Sequence, residues 1–220
     1  IYAPSDLAYC CAVGRSFFIC HALNTSIERK EGFLRMEFIE RTLGQQLDYM
    51  AGRFPDHEAV VFEDVIGGEE IKYRRTYAEF NAECERVARA FYALGLRPGD
   101  HIAIWATNYP HWLLTLFGAA KLGAVLVTVN TAYKIHEAEY LFRHSDTKMI
   151  VCCDGYKDVS YIDILYQLCP EIKTQNRASL ECRALPTQKT VVTVDKKTHP
   201  GMYNWRELDT LADTVDEAEF

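Results

Sequence analysis

The chain has 220 residues, of which 49% are hydrophobic and 25% charged, the composition of an ordinary soluble globular protein with a sizeable core. Its net charge is -7 and it contains no long basic run, which argues against nucleic acid as the main partner. The eight cysteines include the adjacent pairs Cys10-Cys11 and Cys152-Cys153, and no convincing secretory signal accompanies them. We therefore interpret them as cytosolic thiols and predict a cytoplasmic protein.

The first 35 residues fit poorly with the rest of the chain. Residues 7–23 are apolar, but Arg15 interrupts them, and Asp6 stands where a signal peptide carries basic residues. The stretch is also too short to span a bilayer as a helix, so we predict no transmembrane segment. Met36 opens a conventional sequence, and we hypothesise that residues 1–35 are an upstream or non-native segment.

The first predicted elements are a helix and a hairpin. Thr42 and Gln45 form a capping box, apolar residues then recur at helical spacing, and Pro55 stops the helix. Residues 58–63 and 71–75 are short strand candidates on either side of a glycine pair. They are too far apart for a two-residue turn, so the sequence predicts a looser hairpin.

A second amphipathic helix leads to the first strand of a sheet. Thr76 and Glu79 form its capping box, and a regular apolar stripe ends at Gly95. A turn at residues 97–100 precedes residues 101–106, a short run rich in β-branched and aromatic residues. This composition predicts a buried strand.

The segment after this strand organises the predicted fold. Pro110 fits the first position of a helix, and Gly123 fits the left-handed position just past its end. The run at residues 124–129 is continuously apolar, as expected of a strand covered on both sides. A helix over residues 135–144 and a third apolar run over residues 149–153 follow. This alternation predicts an α/β fold with a mainly parallel sheet, flanking helices and right-handed crossovers.

Beyond the third strand the alternation continues. The sequence predicts a helix over residues 161–169, a polar surface loop over residues 171–187 and a strand over residues 190–195. Apolar residues at helical spacing then indicate a last short helix over residues 205–211.

A search for catalytic motifs gives no match. The chain has no glycine-rich dinucleotide fingerprint, no Walker A loop and no nucleophile elbow. It has neither Cys-x-x-Cys nor His-Glu-x-x-His, and His136 and His144 are widely spaced, so we assign no metal site. Asp154 stands at the end of a strand, where α/β sheets bind ligands, although a turn with Gly155 explains it more simply. Composition and spacing alone therefore predict an α/β domain without an assigned activity.

Several segments, in order along the chain, are similar to the amino-terminal part of the AMP-forming acyl-CoA synthetases, members of the adenylate-forming ligase superfamily with an AMP-binding domain. They are Thr76–Phe80, Leu96–Asp100, Asn108–Trp112 and Ala120–Asn130. A further set resembles the fatty-acid branch related to acyl-CoA synthetase family member 2, namely Val129–Tyr133, Glu139-Tyr140, Leu168–Pro170, Leu185-Pro186 and Val192–Asp195. The resemblance covers residues 42–215.

The resemblance implies a two-step reaction that uses ATP, Mg²⁺ and CoA. A fatty carboxylate attacks the α-phosphate of Mg-ATP to form an acyl-adenylate, and the CoA thiol then displaces AMP. The family's glycine-rich phosphate loop, aromatic-containing Thr-Glu motif, ribose-binding Asp and C-terminal Lys have no counterpart in this sequence. We therefore expect residues 36–220 to be an incomplete amino-terminal portion of the AMP-binding large domain. Without the C-terminal domain, such a truncated chain contains no catalytic residue and no ATP site, and it should be inactive alone.

The resemblance also implies that residues 131–134 lie near the CoA nucleotide. Lys134 offers a positive charge to a phosphate, and Thr131 and Ala132 are small enough for close approach. A solvated lysine beside a loop that leads into a helix is the simpler explanation of the same residues. Thr131, Ala132 and Lys134 are our candidate cofactor-binding residues, on the CoA side.

Two other functions stay open. A sibling adenylating enzyme would use the same front half with another acid or another acceptor. A truncated, non-catalytic protein would act as an interaction module, or as a homo-oligomer, through apolar surface left uncovered. Because later residues complete the family's sheets, we also expect the isolated 220-residue chain to be marginally stable.

Overall fold

The structure is a computed structural model that describes residues 40–66, 69–216, 218 and 220, together with the backbone of a short strand, β1 (Phe18–Ile19). The proposed boundary at Met36 lies outside the described residues. None of the helices formed by these residues has both the length and the apolar character needed to cross a bilayer. The chain divides into two compact units, residues 1–81 and 82–220.

The first unit contains a helix and a three-stranded antiparallel sheet. Helix α1 (Leu43–Arg53) begins at the predicted capping box, in which the Gln45 amide donates to Thr42 Oγ1 (3.2 Å) and the Thr42 amide donates to Gln45 Oε1 (3.0 Å). The sheet has the order β1-β2-β3, with β2 at Glu58–Ile66 and β3 at Glu69–Thr76. The predicted hairpin is confirmed, and its strands are longer than the sequence indicated.

The second unit is built on a five-stranded parallel sheet. Its strands are β4 (His101–Trp105), β5 (Val125–Thr128), β6 (Thr147–Cys152), β9 (Thr190–Thr193) and β10 (Tyr203–Asn204), in the spatial order β10-β9-β6-β4-β5. Every pairing is parallel. The predicted strands and their parallel arrangement are thus confirmed, whereas the two-residue strand β10 was not predicted.

Helices connect these strands. They are α2 (Tyr77–Ala93) before β4, α3 (Pro110–Leu122), α4 (Ile135–His144), α5 (Tyr161–Leu168) and the terminal α6 (Leu208–Ala212). Gly123 closes α3 with φ 75°, a left-handed conformation that glycine adopts without strain, and its amide donates to the carbonyls of Ala119 and Ala120. A two-stranded ribbon, β7 (Gly155–Tyr156) and β8 (Val159–Ser160), precedes α5.

Strand β5 corrects one expectation. Its apolar sequence predicted a strand covered on both faces, but none of its four residues is fully buried, and Val125 is 46% exposed. In the described sheet β5 lies at the edge with β4 as its one neighbour, so fewer side chains of adjacent strands lie beside its own. An apolar run shows that a strand is hydrophobic without showing its position in the sheet.

The cysteines give a second correction. Cys169 and Cys182 form a disulfide, with their Cα atoms 5.4 Å apart, so the prediction of thiols is wrong for this pair in the structure. Cys169 caps the end of α5, and the chain returns beside it after a loop that includes a 3-10 turn at Pro170–Lys173. Cys84, Cys152 and Cys153 are buried and form no disulfide.

Candidate functional site

The carboxyl ends of the parallel strands define the candidate site. Ligands of open α/β sheets bind outside this edge, where the loops after the strands meet. The loop at residues 130–134 follows β5, while Asp154 follows β6 and Asp195 follows β9. The site therefore consists of a loop that carries the predicted CoA-side residues and a group of charged side chains beyond two neighbouring strands.

Two buried aromatic residues hold the 130–134 loop. Trp105 Nε1 donates to the Asn130 carbonyl (3.1 Å), and the Tyr161 hydroxyl donates to the Thr131 carbonyl (2.8 Å). The two rings stack with their centroids 4.1 Å apart at 17°, and both side chains are fully buried. Because these donors are fixed by packing, the loop backbone is positioned before any ligand arrives.

The loop itself is a turn that ends in α4. Asn130 Oδ1 accepts from the Ala132 amide (2.9 Å), and the Lys134 amide donates to Glu137 Oε2 (3.3 Å) at the start of α4. Thr131 is half-buried, whereas Ala132 and Lys134 are exposed. Within the described part of the chain, no carboxylate pairs with the Lys134 ammonium group. The structure thus brings the three predicted residues together in one turn, with a side-chain charge available to solvent.

A second group, the aspartate–histidine cluster, consists of Asp154, Asp195 and His199. His199 Nε2 lies 3.1 Å from Asp154 Oδ1 and 3.3 Å from Asp195 Oδ1. Lys197 Nζ lies 3.2 Å from Asp154 Oδ2. The cluster therefore has a lysine ammonium group beside it, and Asp154 does more than form the turn that its sequence context suggested.

Burial shapes the electrostatics of this cluster. It raises the pKa of Asp195, and the neighbouring Asp154 carboxylate raises it further. Burial also raises the pKa of Tyr109 to about 12, with smaller contributions from Cys153, Asp154 and Asp195. Both groups are therefore harder to deprotonate at this edge of the sheet than they are in water.

Sequence reasoning missed Asp195 and His199. The signal was a strand that ends in Val-Asp, followed by the Thr-His-Pro-Gly turn. Polar residues just beyond a strand are candidates for a carboxyl-edge site. Their meeting with Asp154 depends on β6 and β9 being neighbours, which the sequence does not state.

The described residues contain two groups that could hold a metal ion. One is the aspartate–histidine cluster and the other is Cys169, Glu171 and Cys182, and in each the donor atoms lie within 4.8 Å of one another. In the first group, Lys197 Nζ already lies 3.2 Å from Asp154 Oδ2 and competes with a cation for that carboxylate.

The two adjacent thiols at this edge are poor nucleophiles. Burial raises the pKa of both Cys152 and Cys153, which keeps the unreactive protonated form at neutral pH. The arrangement can position a ligand at the 130–134 loop, and it offers no activated nucleophile among the described cysteines.

Comparison with known proteins identifies the family. Residues 47–218 match the model of the AMP-binding enzyme family. The Bacillus subtilis (strain 168) protein YngI, named as an acyl-CoA synthetase, is 40% identical over 183 residues, which are 83% of this chain and 32% of YngI. The mitochondrial medium-chain acyl-CoA ligase ACSF2 of Danio rerio is 36% identical over 76% of this chain and 26% of its own length. The chain therefore spans about a third or less of these relatives.

Solved structures show the same fold. A long-chain-fatty-acid-CoA ligase, FadD1 from Archaeoglobus fulgidus, has a TM-score of 0.62 at 17% identity over 87% of this chain and 33% of that chain. The N-terminal domain of FACL13 from Mycobacterium tuberculosis has a TM-score of 0.56 at 23% identity over 82% of this chain and 37% of that chain. The predicted fold class is confirmed, and the chain belongs to the AMP-binding enzyme family.

Proposed function

We propose that the intact protein is an AMP-forming acyl-CoA synthetase. It activates a fatty carboxylate with Mg-ATP to the acyl-adenylate and transfers the acyl group to CoA. The observation that carries this proposal is the family match over residues 47–218, together with 40% identity to YngI. The relatives' names also include a medium-chain acyl-CoA ligase, which favours a medium-chain or longer acid over other carboxylates.

Pyrophosphate exchange by the intact protein tests this function. A panel of fatty, aryl and amino acids is incubated with Mg-ATP and labelled pyrophosphate. We expect exchange with fatty acids, followed by acyl-CoA formation when CoA is added. Exchange only with aryl or amino acids would instead identify a sibling adenylating enzyme, and no exchange with any acid would favour an interaction module.

The 220-residue chain by itself serves as the second arm of this experiment. Its sequence lacks the family's phosphate loop, so we assign Mg-ATP to no residue of this chain and expect no exchange by the chain alone. Exchange by the isolated chain would show that a complete adenylation site is present in it. That outcome would overturn our assignment of the chain as an inactive amino-terminal portion.

We further propose that Thr131, Ala132 and Lys134 face CoA. Support comes from the geometry of the 130–134 loop. Hydrogen bonds from Trp105 and Tyr161 fix its backbone, while the Lys134 side chain is exposed. A flexible lysine ammonium group beside a fixed backbone suits a phosphate group. Thr131 and Ala132 add little bulk, which allows a nucleotide to come close.

A Lys134→Ala variant tests the CoA side. An exposed charge pair contributes roughly 0.5–1 kcal/mol, so the KM for CoA should rise about two- to fivefold while the KM for ATP stays unchanged. Lys189→Ala is the matched control, because Lys189 is equally exposed but precedes β9 at the opposite edge of the sheet. An unchanged KM for CoA in Lys134→Ala would remove this residue from the site.

We also propose where the protein is located, where its AMP-binding domain starts and how its oligomeric state is to be tested. We propose a cytoplasmic location and a domain that starts at residue 36, whereas the vertebrate ACSF2 relatives are named mitochondrial. Cell fractionation followed by mass spectrometry of the mature amino terminus tests both points. A mature protein in mitochondria, or one that begins near Ile1, would contradict them, and sedimentation of the intact enzyme would show whether it is a homo-oligomer.

A further inference from the structure

Three side chains that could bind a metal ion lie together at the end of α5 and in the chain that returns beside it. We call this group the cysteine–glutamate cluster, and it consists of Cys169, Glu171 and Cys182. Cys169 is fully buried, Cys182 is 3% exposed, and the donor atoms of all three residues lie within 4.8 Å of one another. The spacing of these residues in the sequence matches no common zinc-binding motif. The loop between the two cysteines brings the three side chains together.

Two backbone amides near the cluster favour negative charge on its ligand atoms. The Leu185 amide donates to Cys182 Sγ (3.3 Å), and hydrogen bonds to sulfur favour the thiolate form. The Arg183 amide donates to Glu171 Oε1 (3.4 Å), which orients the carboxylate as outer partners of metal ligands do.

The second carboxylate oxygen has no such partner. Glu171 Oε2 is inaccessible to solvent and accepts no hydrogen bond from the described residues. A buried carboxylate oxygen without a partner is unfavourable, so such atoms usually face a hydrogen-bond donor or a cation. Among the described lysines, arginines and histidines, none pairs with Glu171. In this respect the cysteine–glutamate cluster differs from the aspartate–histidine cluster, which has Lys197 and His199.

We propose that the reduced protein binds one Zn²⁺ ion at the cysteine–glutamate cluster. A small-molecule thiol first reduces the Cys169–Cys182 disulfide by exchange and is itself oxidised to a disulfide. The two protein thiols then release two protons and bind Zn²⁺ as thiolates. A tetrahedral ion about 2.3 Å from each sulfur holds them roughly 3.8 Å apart, with Glu171 Oε2 as the third ligand and one position open to water.

The proposed ion would secure a segment that supports the carboxyl-edge site. The Tyr166 hydroxyl on α5 donates to the Pro200 carbonyl (3.0 Å), one residue after His199. Because Cys169 caps α5, a bound ion would tie the end of this helix to the returning chain at Cys182. The site is therefore structural, and it is independent of the proposed acyl-CoA synthetase activity.

Cobalt and zinc binding by the reduced intact protein tests this inference. The protein is reduced with an excess of thiol, desalted without oxygen and titrated with Co²⁺, whose bonds to thiolates give charge-transfer absorption. Zn²⁺ is then added, and the bound metal is measured by elemental mass spectrometry. We expect one equivalent of Co²⁺, with thiolate absorption that Zn²⁺ abolishes.

Single substitutions locate the site. Cys182→Ser should lose the thiolate absorption largely, and Glu171→Gln should weaken Co²⁺ binding by more than about tenfold, since even an outer partner contributes that much. Cys153→Ser is the control, because Cys153 is an equally buried thiol outside the cluster. Glu171→Gln keeps both sulfur atoms, so it reports on the site even when Cys182→Ser fails to fold.

Three outcomes would overturn the proposal. The first is wild-type protein, reduced and folded, that binds no Co²⁺ with thiolate absorption. The second is a Glu171→Gln variant that binds Co²⁺ as tightly as the wild type. The third is a Cys169–Cys182 disulfide that persists in the native protein under excess thiol, which would show that the pair is a permanent covalent link.

Discussion

At the scale of single residues, His111 makes stability depend on pH. It lies on α3, edge-on to the Trp205 ring with centroids 4.9 Å apart, and its Nδ1 has no hydrogen-bond partner among the described residues. Burial lowers the pKa of His111 from its ordinary value near 6.5 to about 4. Between these two values the unfolded chain binds a proton that the folded chain excludes. The contribution of neutral His111 to the free energy of unfolding is therefore present above pH 6.5 and is lost as the pH falls toward 4.

A His111→Phe variant should remove this acid sensitivity. Between pH 6.5 and pH 4, the free energy of unfolding of the wild type should fall by at most roughly 3 kcal/mol through His111, at 1.36 kcal/mol for each pKa unit. Urea unfolding at pH 7.5 and pH 4.5 measures it, and the difference between the two pH values should shrink in the variant. His144→Gln, a change at an exposed histidine of α4, is the control substitution. An unaltered difference in His111→Phe would assign the acid sensitivity to other groups.

At the scale of elements, α2 and α3 approach closely at Gly118. A Cβ atom at this position would lie 2.7 Å from Val87 Cγ1 and 3.2 Å from Val87 Cβ. Valine in a helix has one strongly preferred rotamer, so it cannot turn away at low cost. Gly118→Ala should therefore destabilise the protein by about 1–3 kcal/mol, despite the better helix propensity of alanine.

A double-mutant cycle isolates the close contact. Val87→Ala removes the clashing methyl groups, so Gly118→Ala should be far less destabilising when introduced into Val87→Ala than into the wild type. Gly52→Ala is the control in α1, where a Cβ atom meets nothing within 4 Å, and it should stabilise by up to about 1 kcal/mol. Urea midpoints of the five proteins give these differences, and additive effects of the two α2 and α3 substitutions would contradict the predicted contact.

Local signals in the sequence predicted where elements start and end, but not how they pair. The Thr42 box and the Gly123 cap depend on neighbouring residues, and both are present as predicted. The edge position of β5 and the pairing of Cys169 with Cys182 depend on residues far apart in the chain. Hydrophobic runs and cysteine counts contain no information about these neighbours, so the sequence predictions failed there for a common reason.

At the scale of the whole molecule, one part of the candidate site could be predicted from the sequence and the other part could not. The resemblance pointed to residues 131–134, and the structure shows them in one turn held by Trp105 and Tyr161. The aspartate–histidine cluster was missed because it forms only when β6 and β9 lie side by side. Under the proposed function, this chain contributes a positioned surface at the 130–134 loop.

The open edge of β5 predicts how the 220-residue chain behaves when it is produced alone. The amides of Val125 and Val129 donate inward, to the carbonyls of Asp100 and Ile104. Because backbone groups alternate along a strand, those of Leu126 and Thr128 point to the outer edge, where no described strand pairs with them. Such an edge, with an exposed valine beside it, favours self-association.

We therefore expect the isolated chain to sediment as oligomers at micromolar concentrations, and Thr128→Pro to shift it toward the monomer. Proline at Thr128 removes an outward amide and spares the bonds to β4. Proline at Val127 is the matched control, since its amide points inward by the same alternation, and this variant should unfold the sheet as judged by circular dichroism. A wild-type chain that stays monomeric, or a folded Thr128→Pro chain that still associates, would show that another surface governs assembly.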